Sequence, residues 1–322
     1  MINPPDHVEL SVIIVSYNTV QLIDEMMQAL LASAQQRRLQ VIAVDNASTD
    51  GSAKVFKTRY PWVELIESPH NIGFGRANNL ALPRAHGRFV LLLNTDAFVA
   101  PDTLDKTLTY MESRPDCGVL GVRLVGRDGE LQPSCRYFPT PWNTFLSRTG
   151  LQRWLPHDRL VDDMGWDHRS VRECDWVPGC YYLVRREVID SVGLFDPRYF
   201  LYCEEVDHCR AVKAMGWKVL YFPYTEVVHI GGESAKTEGG LSAAGRQLSA
   251  LQSESQMLYF RKHHGLPGLL LHAVLEFAAA ALEIARDLLR GHPGERYAQT
   301  LTATALWWRV ARRTGFGARP TR

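Results

Sequence analysis

Apolar runs and helical spacing alternate through the first 120 or so residues. Residues 10–18 (LSVIIVSYN) form an apolar, β-branched run that ends in polar residues, and 20–34 then place Val20, Ile23, Met26, Met27, Leu30 and Leu31 at helical intervals. Residues 41–45 (VIAVD) read as a second strand. The turn that follows, NASTDGS, offers Ser48 or Thr49 as cap for a helix holding Val55 and Phe56. A third strand is expected at 62–67, a helix from the stretch NIGFGRANNLAL, a fourth strand at 89–94, and a helix from Pro101-Asp102 to about Met111. Strands that are apolar along their whole length and joined by short helical connections predict an α/β fold with a parallel sheet covered on both faces.

After about residue 118 the pattern changes. GVLGVRLVGRDGELQPSCRYF reads as two strands around the Asp128-Gly129 turn, and 141–175 lack periodicity and read as a loop-rich insertion. A strand and a helix are expected within 176–196, a helix starting near the acids of 200–217 with Gly216 at its end, a strand at KVLYFP, and a helix from about Gly245 to His264. The segment from Leu266 is the most hydrophobic of the chain. It carries His272, Glu276, Glu283, Arg286 and Asp287, too many polar groups for a spanning helix of about 20 mostly apolar residues.

Composition narrows the class without choosing a function. In 322 residues, 36 basic and 35 acidic side chains nearly cancel, so no global positive field marks a nucleic-acid partner. The six cysteines show no CxxC spacing, which fits reduced thiols in a cytosolic protein better than a disulfide framework or a zinc site. The first ten residues lack the basic and apolar regions of a signal peptide.

Ligands of parallel sheets bind at the carboxyl ends of the strands. Ser16-Tyr17-Asn18, Asp45-Asn46 and Asn94-Thr95-Asp96 all fall at such ends. Asp45 can accept the imino N–H of uracil or thymine, or cap its own turn. Asn71, Gly73, Gly75, Arg76 and Asn79 sit around a helix start, where free N–H groups and an arginine suit phosphate; a tight turn with a surface arginine is the other reading. Asp96 can ligate Mg2+ or Mn2+, since magnesium often uses one or two protein carboxylates and takes its other ligands from phosphates and water. Asn94, standing where an Asp-x-Asp pair would have its first acid, keeps an acceptor oxygen to orient ribose, sugar or water. Glu204, Glu205 and Asp207 put three acids into four residues at a helix start. Like charges raise one another's pKa, which suits a general base, and Glu205 is the preferred candidate. His229, before a glycine-rich turn, can complete the metal shell with Asp96.

Taken in order, VSYN, VDNASTDGS, NIGFGRANN, LLLNTDAFV, WVPGCYYLVRR, GLFDPRYFLYCEEVDHCRAVKAMGW and HIGGES resemble inverting glycosyltransferases of family 2, in the bacterial subgroup often described as rhamnosyltransferases. The match covers roughly residues 10–265. Asn-x-Asp in place of Asp-x-Asp is common in that subgroup. The resemblance implies a GT-A fold, a nucleotide-diphosphate sugar donor, a divalent metal, and single displacement with inversion. By the same likeness Asp45 would read the base, Asp96 and His229 would hold the metal, Glu205 would deprotonate the acceptor, and Trp176 and Gly179 would line the acceptor side. The family's Glu-Asp pair is Glu-Glu here.

The expected organisation is a catalytic domain over 1–265, its nucleotide half at about 10–125 and its acceptor half at about 126–265, followed by an amphipathic helical extension over 266–322. His272, Glu276, Glu283, Asp287 and Arg290 fall near one side of that extension, and Trp307, Trp308, Arg309, Arg312 and Arg313 follow as aromatic and cationic anchors. This predicts either contact with the cytoplasmic face of the inner membrane or packing on the domain or a homodimer partner. The subgroup points to dTDP-rhamnose as donor and a glycan or polyprenyl-linked saccharide of the cell envelope as acceptor, with a UDP-sugar (galactofuranose or hexose) as alternative. A nucleotidyltransferase would need a glycine- and cation-rich loop after the first strand, which VSYNTVQ lacks. A non-catalytic nucleotide-sugar-binding scaffold would leave the acids at 204–207 dispensable.

Overall fold

The computed structural model describes residues 8–34, 37–155, 159–231, 241–289 and 295–322. Its first four strands are β1 (Leu10–Ser16), β2 (Leu39–Asp45), β3 (Glu64–Glu67) and β4 (Phe89–Asn94), separated by α1 (Val20–Ala34), α2 (Ser52–Arg59) and α3 (Phe74–Ala81). They pair in parallel in the order β3-β2-β1-β4, with Val12 opposite Val41 and Leu91. Alternate residues feed two different cores: Ile13, Ile42, Val90 and Leu92 point to one, and Val12, Ile14, Val41 and Leu91 to the other. Burial on both faces is why these strands read as unbroken apolar runs.

The crossover pattern stops at α4 (Thr103–Ser113), and so does exclusive parallel pairing. β5 (Ala97–Val99), β6 (Cys117–Val125), β7 (Leu131–Gln132), β8 (Arg172–Cys174), β9 (Tyr181–Arg185) and β10 (Lys218–His229) complete one sheet of order β3-β2-β1-β4-β9-β6-β10-β5; β7 pairs with β6 and β8 with β10. β9 runs antiparallel to both β4 and β6, which makes the sheet mixed. α6 (Arg186–Val192) and α7 (Glu204–Ala214) follow β9, and α7 ends before Gly216 at φ 86°.

Two local readings are corrected. The insertion contains a helix, α5 (Pro141–Thr149), held by a reciprocal cap in which Thr140 Oγ1 accepts from the Asn143 N–H and Asn143 Oδ1 accepts from the Thr140 N–H. It buries only Phe145 and Leu146 among its large apolar residues, too few to show a period. Nor do Ser48 and Thr49 cap α2. Its first turn is held by Asp50, whose Oδ1 accepts from the N–H and hydroxyl of Ser52.

α8 (Leu241–Leu289) is broken at Gly265 (φ 66°, ψ −174°) into arms 241–264 and 266–289, and α9 is Glu295–Thr314. Within α8 the segment Ala250–Leu289 is long and apolar enough to cross a membrane by length and composition, which the charges had argued against. Met257, Leu258, Tyr259 and Phe260 of the first arm and Val310 and Ala311 of α9 belong to the same core cluster as β1 and β9. α9 is thus folded back onto the catalytic unit, and the Thr321 N–H and hydroxyl both donate to the Glu254 carboxylate.

Candidate active site

Three asparagines tie the loops after β1, β2 and β3 together. The Asn18 N–H donates to Ser48 Oγ (3.0 Å), and Asn18 Oδ1 accepts from the Thr49 N–H (2.8 Å). Asn46 Nδ2 donates to Asn71 Oδ1, while Asn46 Oδ1 accepts from the Ile72 N–H, both at 2.9 Å. Ser16 is fully buried with its hydroxyl against that of Thr19, and Tyr17 is half-buried. In Asn18, Asn71 and Ser16, expected to touch the donor, the two Oδ1 atoms and the hydroxyl bond to neighbouring loops. Asp45 does two things at once. Its Oδ2 accepts from the Ser48 N–H (3.0 Å), as a turn cap does, and its buried Oδ1 has no partner.

Residues 71–79, expected to meet the phosphates, bond extensively to neighbouring protein segments. Gly73 has φ 88°, and a Cβ there would collide with the Phe200 carbonyl, which accepts from the Phe74 N–H (2.9 Å). The Gly73 N–H is taken by Asn71 Oδ1 (2.9 Å), so the first two N–H groups at the start of α3 face protein acceptors. Arg76 donates to the carbonyls of Pro197 (2.7 Å) and Arg322 (2.8 Å). Asn79 exchanges two hydrogen bonds with the backbone of Phe195. A Cβ on Gly75 would sit 3.5 Å from that of Glu204. This tract latches the segment that carries the acids.

Asp96 and His229 meet because β5 pairs antiparallel with β10, setting Ala97 opposite His229; the Ile230 N–H donates to the Asp96 carbonyl (3.1 Å). Asn94 is half-buried, its N–H donating to the Cys180 carbonyl, and Thr95 is buried. His229 Nε2 lies 3.7 Å from Asp96 Oδ1. Gln132 fixes the imidazole: its Nε2 donates to the His229 carbonyl (2.8 Å), leaving Oε1 to accept from Nδ1 (3.0 Å). Nε2 therefore carries the free lone pair. Burial pushes the His229 pKa down, against the pull of Asp96, which keeps the ring neutral. Among the described residues no group of three metal-ligating side chains converges, and Asp96 and His229 stand there as a pair. The rest of the HIGGES motif, residues 232–234, lies outside the described residues. Gln132 was missed by sequence reasoning; only its place beside the Asp128-Gly129 hairpin marked it.

The three acids of α7 separate by environment. Asp207 accepts from Lys262 (2.7 Å), from His263 Nε2 (2.6 Å) and from the Tyr199 hydroxyl (3.3 Å), so this catalytic candidate is corrected to an anchor between α7 and α8. Burial alone would raise its pKa, but the His263 and Lys262 bonds outweigh that and hold it below the usual range. Glu204 is 3% exposed and Glu205 half-buried, each with a buried Oε2 that has no partner. Burial raises both pKa values; the Glu205 charge raises Glu204 further, and Arg136 opposes the rise at Glu205. The Cys180 thiol is pushed up by burial and then by the charges of Asp96 and Glu205, so both acids lie within electrostatic reach of it. Tyr202 (φ 71°) and Cys203 (φ 66°) are consecutive left-handed residues just before the acids, strain of about 1 kcal/mol or more each, stored where α7 begins.

Trp176 does not line an open surface. It is 5% exposed, donates Nε1–H to the Tyr137 carbonyl (2.8 Å), and carries the Arg136 guanidinium 4.0 Å above its ring. Gly179 packs against the Phe74 ring. Arg136 is the residue on this side whose charge reaches Glu205, and no sequence pattern surrounds it.

A mixed sheet with helices on both faces and polar groups gathered at its strand ends is the architecture of GT-A glycosyltransferases. The structure is similar to the mannosyltransferase PcManGT from Pyrobaculum calidifontis, solved with GDP-Man and Mn2+, at a TM-score of 0.55 and 20% identity, covering 98% of this chain and 86% of that one. It is also similar to residues 1–349 of TarS from S. aureus (TM-score 0.50, 14% identity, 95% and 92% covered).

The model of glycosyl transferase family 2 matches residues 11–165. Over 237 residues the chain is 30% identical to the N-acetylglucosaminyl-diphospho-decaprenol L-rhamnosyltransferase of Mycobacterium tuberculosis, covering 68% of this chain and 75% of that protein. Over 230 residues it is 26% identical to rhamnosyltransferase WbbL of Escherichia coli (68% and 82% covered). The chain belongs to glycosyltransferase family 2 and is a glycosyltransferase.

Proposed function

We propose that this glycosyltransferase moves L-rhamnose from dTDP-rhamnose to a hydroxyl of a lipid-linked saccharide in cell-envelope polysaccharide synthesis, with inversion at the anomeric carbon and at the cytoplasmic face of a membrane. The relatives named for rhamnosyl transfer support the sugar and the acceptor class. The observation that carries the chemistry is which polar atoms the fold leaves unspent. At strand ends crowded with mutually bonded asparagines, Asp45 Oδ1 and Glu205 Oε2 have no protein partner, and His229 Nε2 keeps its lone pair.

Asp45 Oδ1, buried without a partner, would accept the imino N–H of thymine or uracil. A carboxylate oxygen and a neutral imidazole nitrogen, one fixed by β5–β10 pairing and the other by Gln132, fit a hard divalent ion that takes its other ligands from phosphate. Asp96 and His229 would hold Mg2+ or Mn2+, whose contribution when bound is to neutralise charge on the departing diphosphate. Glu205 takes the proton of the acceptor hydroxyl as that oxygen bonds to the anomeric carbon. The bond to the diphosphate breaks on the opposite face, its electron pair leaving with the phosphate oxygen. General bases of this kind contribute about 10²–10⁴-fold.

The test is nucleoside-diphosphate release with a panel of dTDP- and UDP-sugars, with and without Mg2+ or Mn2+. Hydrolysis of dTDP-rhamnose that EDTA and Asp96→Ala abolish is expected, with Glu205→Gln keeping donor binding while losing transfer by about 10²-fold or more. Near wild-type turnover in Glu205→Gln would remove the base assignment, and hydrolysis of a UDP-sugar alone would replace the donor.

A further inference from the structure

The second arm of α8, 266–289, is amphipathic in the opposite sense to a helix on a soluble protein. Its polar residues face the catalytic unit. Arg148 of α5 pairs with Glu276 (2.5 Å) and Glu283 (3.2 Å), and Arg286 donates to the Thr149 carbonyl (2.7 Å). His272 is buried against Thr144 and stacked on Phe260 (4.0 Å), its pKa pushed down to about 4 by burial. Every exposed position of the arm is Leu, Val, Ala or Pro. Leu270, Leu271, Val274, Leu282 and Leu288 are 40–62% exposed and recur at helical intervals, a strip roughly 27 Å long at 1.5 Å per residue.

A second feature says what covers the strip. α9 lies against this arm through Trp307 and Phe277, and its outer side presents Trp308, Arg309, Arg312 and Arg313 around an open concavity of about 630 Å3. Among the described residues these three arginines have no ion-pair partner. The strip holds no acid, so an isologous contact with a second copy would bring no anion to them and would set like charges near one another. An apolar face beside a Trp and a cluster of arginines matches a bilayer with anionic headgroups.

We infer that the outer faces of 266–289 and α9 form one docking surface for anionic lipid, with the 266–289 arm lying in the plane of the bilayer interface and not crossing it. The in-plane orientation follows from Arg148, which ties Glu276 and Glu283 along the length of the arm to α5. This deepens the membrane placement proposed above and is independent of the donor.

The experiment is co-sedimentation of the full chain with vesicles of phosphatidylcholine, with and without one quarter phosphatidylglycerol, alongside donor hydrolysis and light scattering. Binding to the anionic vesicles is expected. Leu271→Asp with Val274→Asp should weaken it about tenfold or more, and neutralising the three arginines to Gln about a hundredfold with loss of its salt dependence. Both variants should keep the wild-type melting temperature and donor hydrolysis, because these side chains are exposed. Wild-type protein left in the supernatant, or the aspartate variant binding as wild type does, overturns the inference while intact hydrolysis leaves the enzyme reading standing. A wild-type dimer that the aspartates dissociate, with no vesicle binding, would assign the strip to a second copy. Vesicle binding without donor hydrolysis would instead overturn the proposed chemistry alone.

Discussion

Glu205, the proposed base, sits in an environment that pulls two ways. Burial raises its pKa, and the Arg136 guanidinium, held over Trp176 and bonded to Asp162 (2.5 Å), restrains the rise. The base must be deprotonated to work, so transfer should climb as pH rises through the raised Glu205 value. Removing the restraint moves that limb to more alkaline pH. Arg136→Gln is therefore expected to shift the acidic limb of the kcat/KM profile upward by about one pH unit, with transfer recovering at high pH. A uniform loss at every pH would make Arg136 a substrate contact and not a tuner of the base. At this scale the sequence marked candidate positions but not the bonds their side chains make. Asp45, Asp96, Glu205 and His229 were visible as acids and a histidine at strand or helix ends. That Asn18 and Asn71 bond to neighbouring loops, and that Arg76 turns to Pro197, depends on contacts between segments 25 to more than 100 residues apart, which local pattern does not encode.

Asp207 shows how one acid of a helix start can serve a different element. Its carboxylate is the junction of α7 with the first arm of α8, and Lys262 bridges it to Asp196 as well. Removing one partner of a buried ion pair strands the other, and Lys262 remains about a third exposed, which softens the loss. Asp207→Asn is expected to cost about 2–3 kcal/mol at neutral pH, roughly 5 °C or more in melting temperature. Because the folded Asp207 pKa is depressed, its stabilisation is present above the ordinary carboxylate range and drains as pH falls through the folded value. Wild type and variant should converge in acid when their melting curves are compared. Elements that carried their own period or turn chemistry, such as α1, β1, β4 and the Gly129 hairpin, were legible. α5 was not, because its signal is a cap and two buried side chains with no stripe.

At the level of the whole molecule, the alternation of strands and helices announced an α/β sheet, and the resemblance of seven ordered blocks announced its family. Strand order beyond β4 was hidden, since antiparallel β9 is as apolar as the parallel strands it joins. The division at Gly265 was visible as a change in composition, and packing of the extension on the domain was one of its expected outcomes, but the return of α9 to the core near Met257 was not located. β9 also has a temporal consequence. It fills the gap between β4 and β6, so during synthesis β4 keeps a naked edge until residues 181–185 leave the ribosome. A fragment ending at residue 125 holds the whole nucleotide half and still exposes that flat apolar edge to any other strand it meets. Such a fragment should aggregate where the full chain stays dispersed. The first four strands and the segment that follows them therefore mature as a single event.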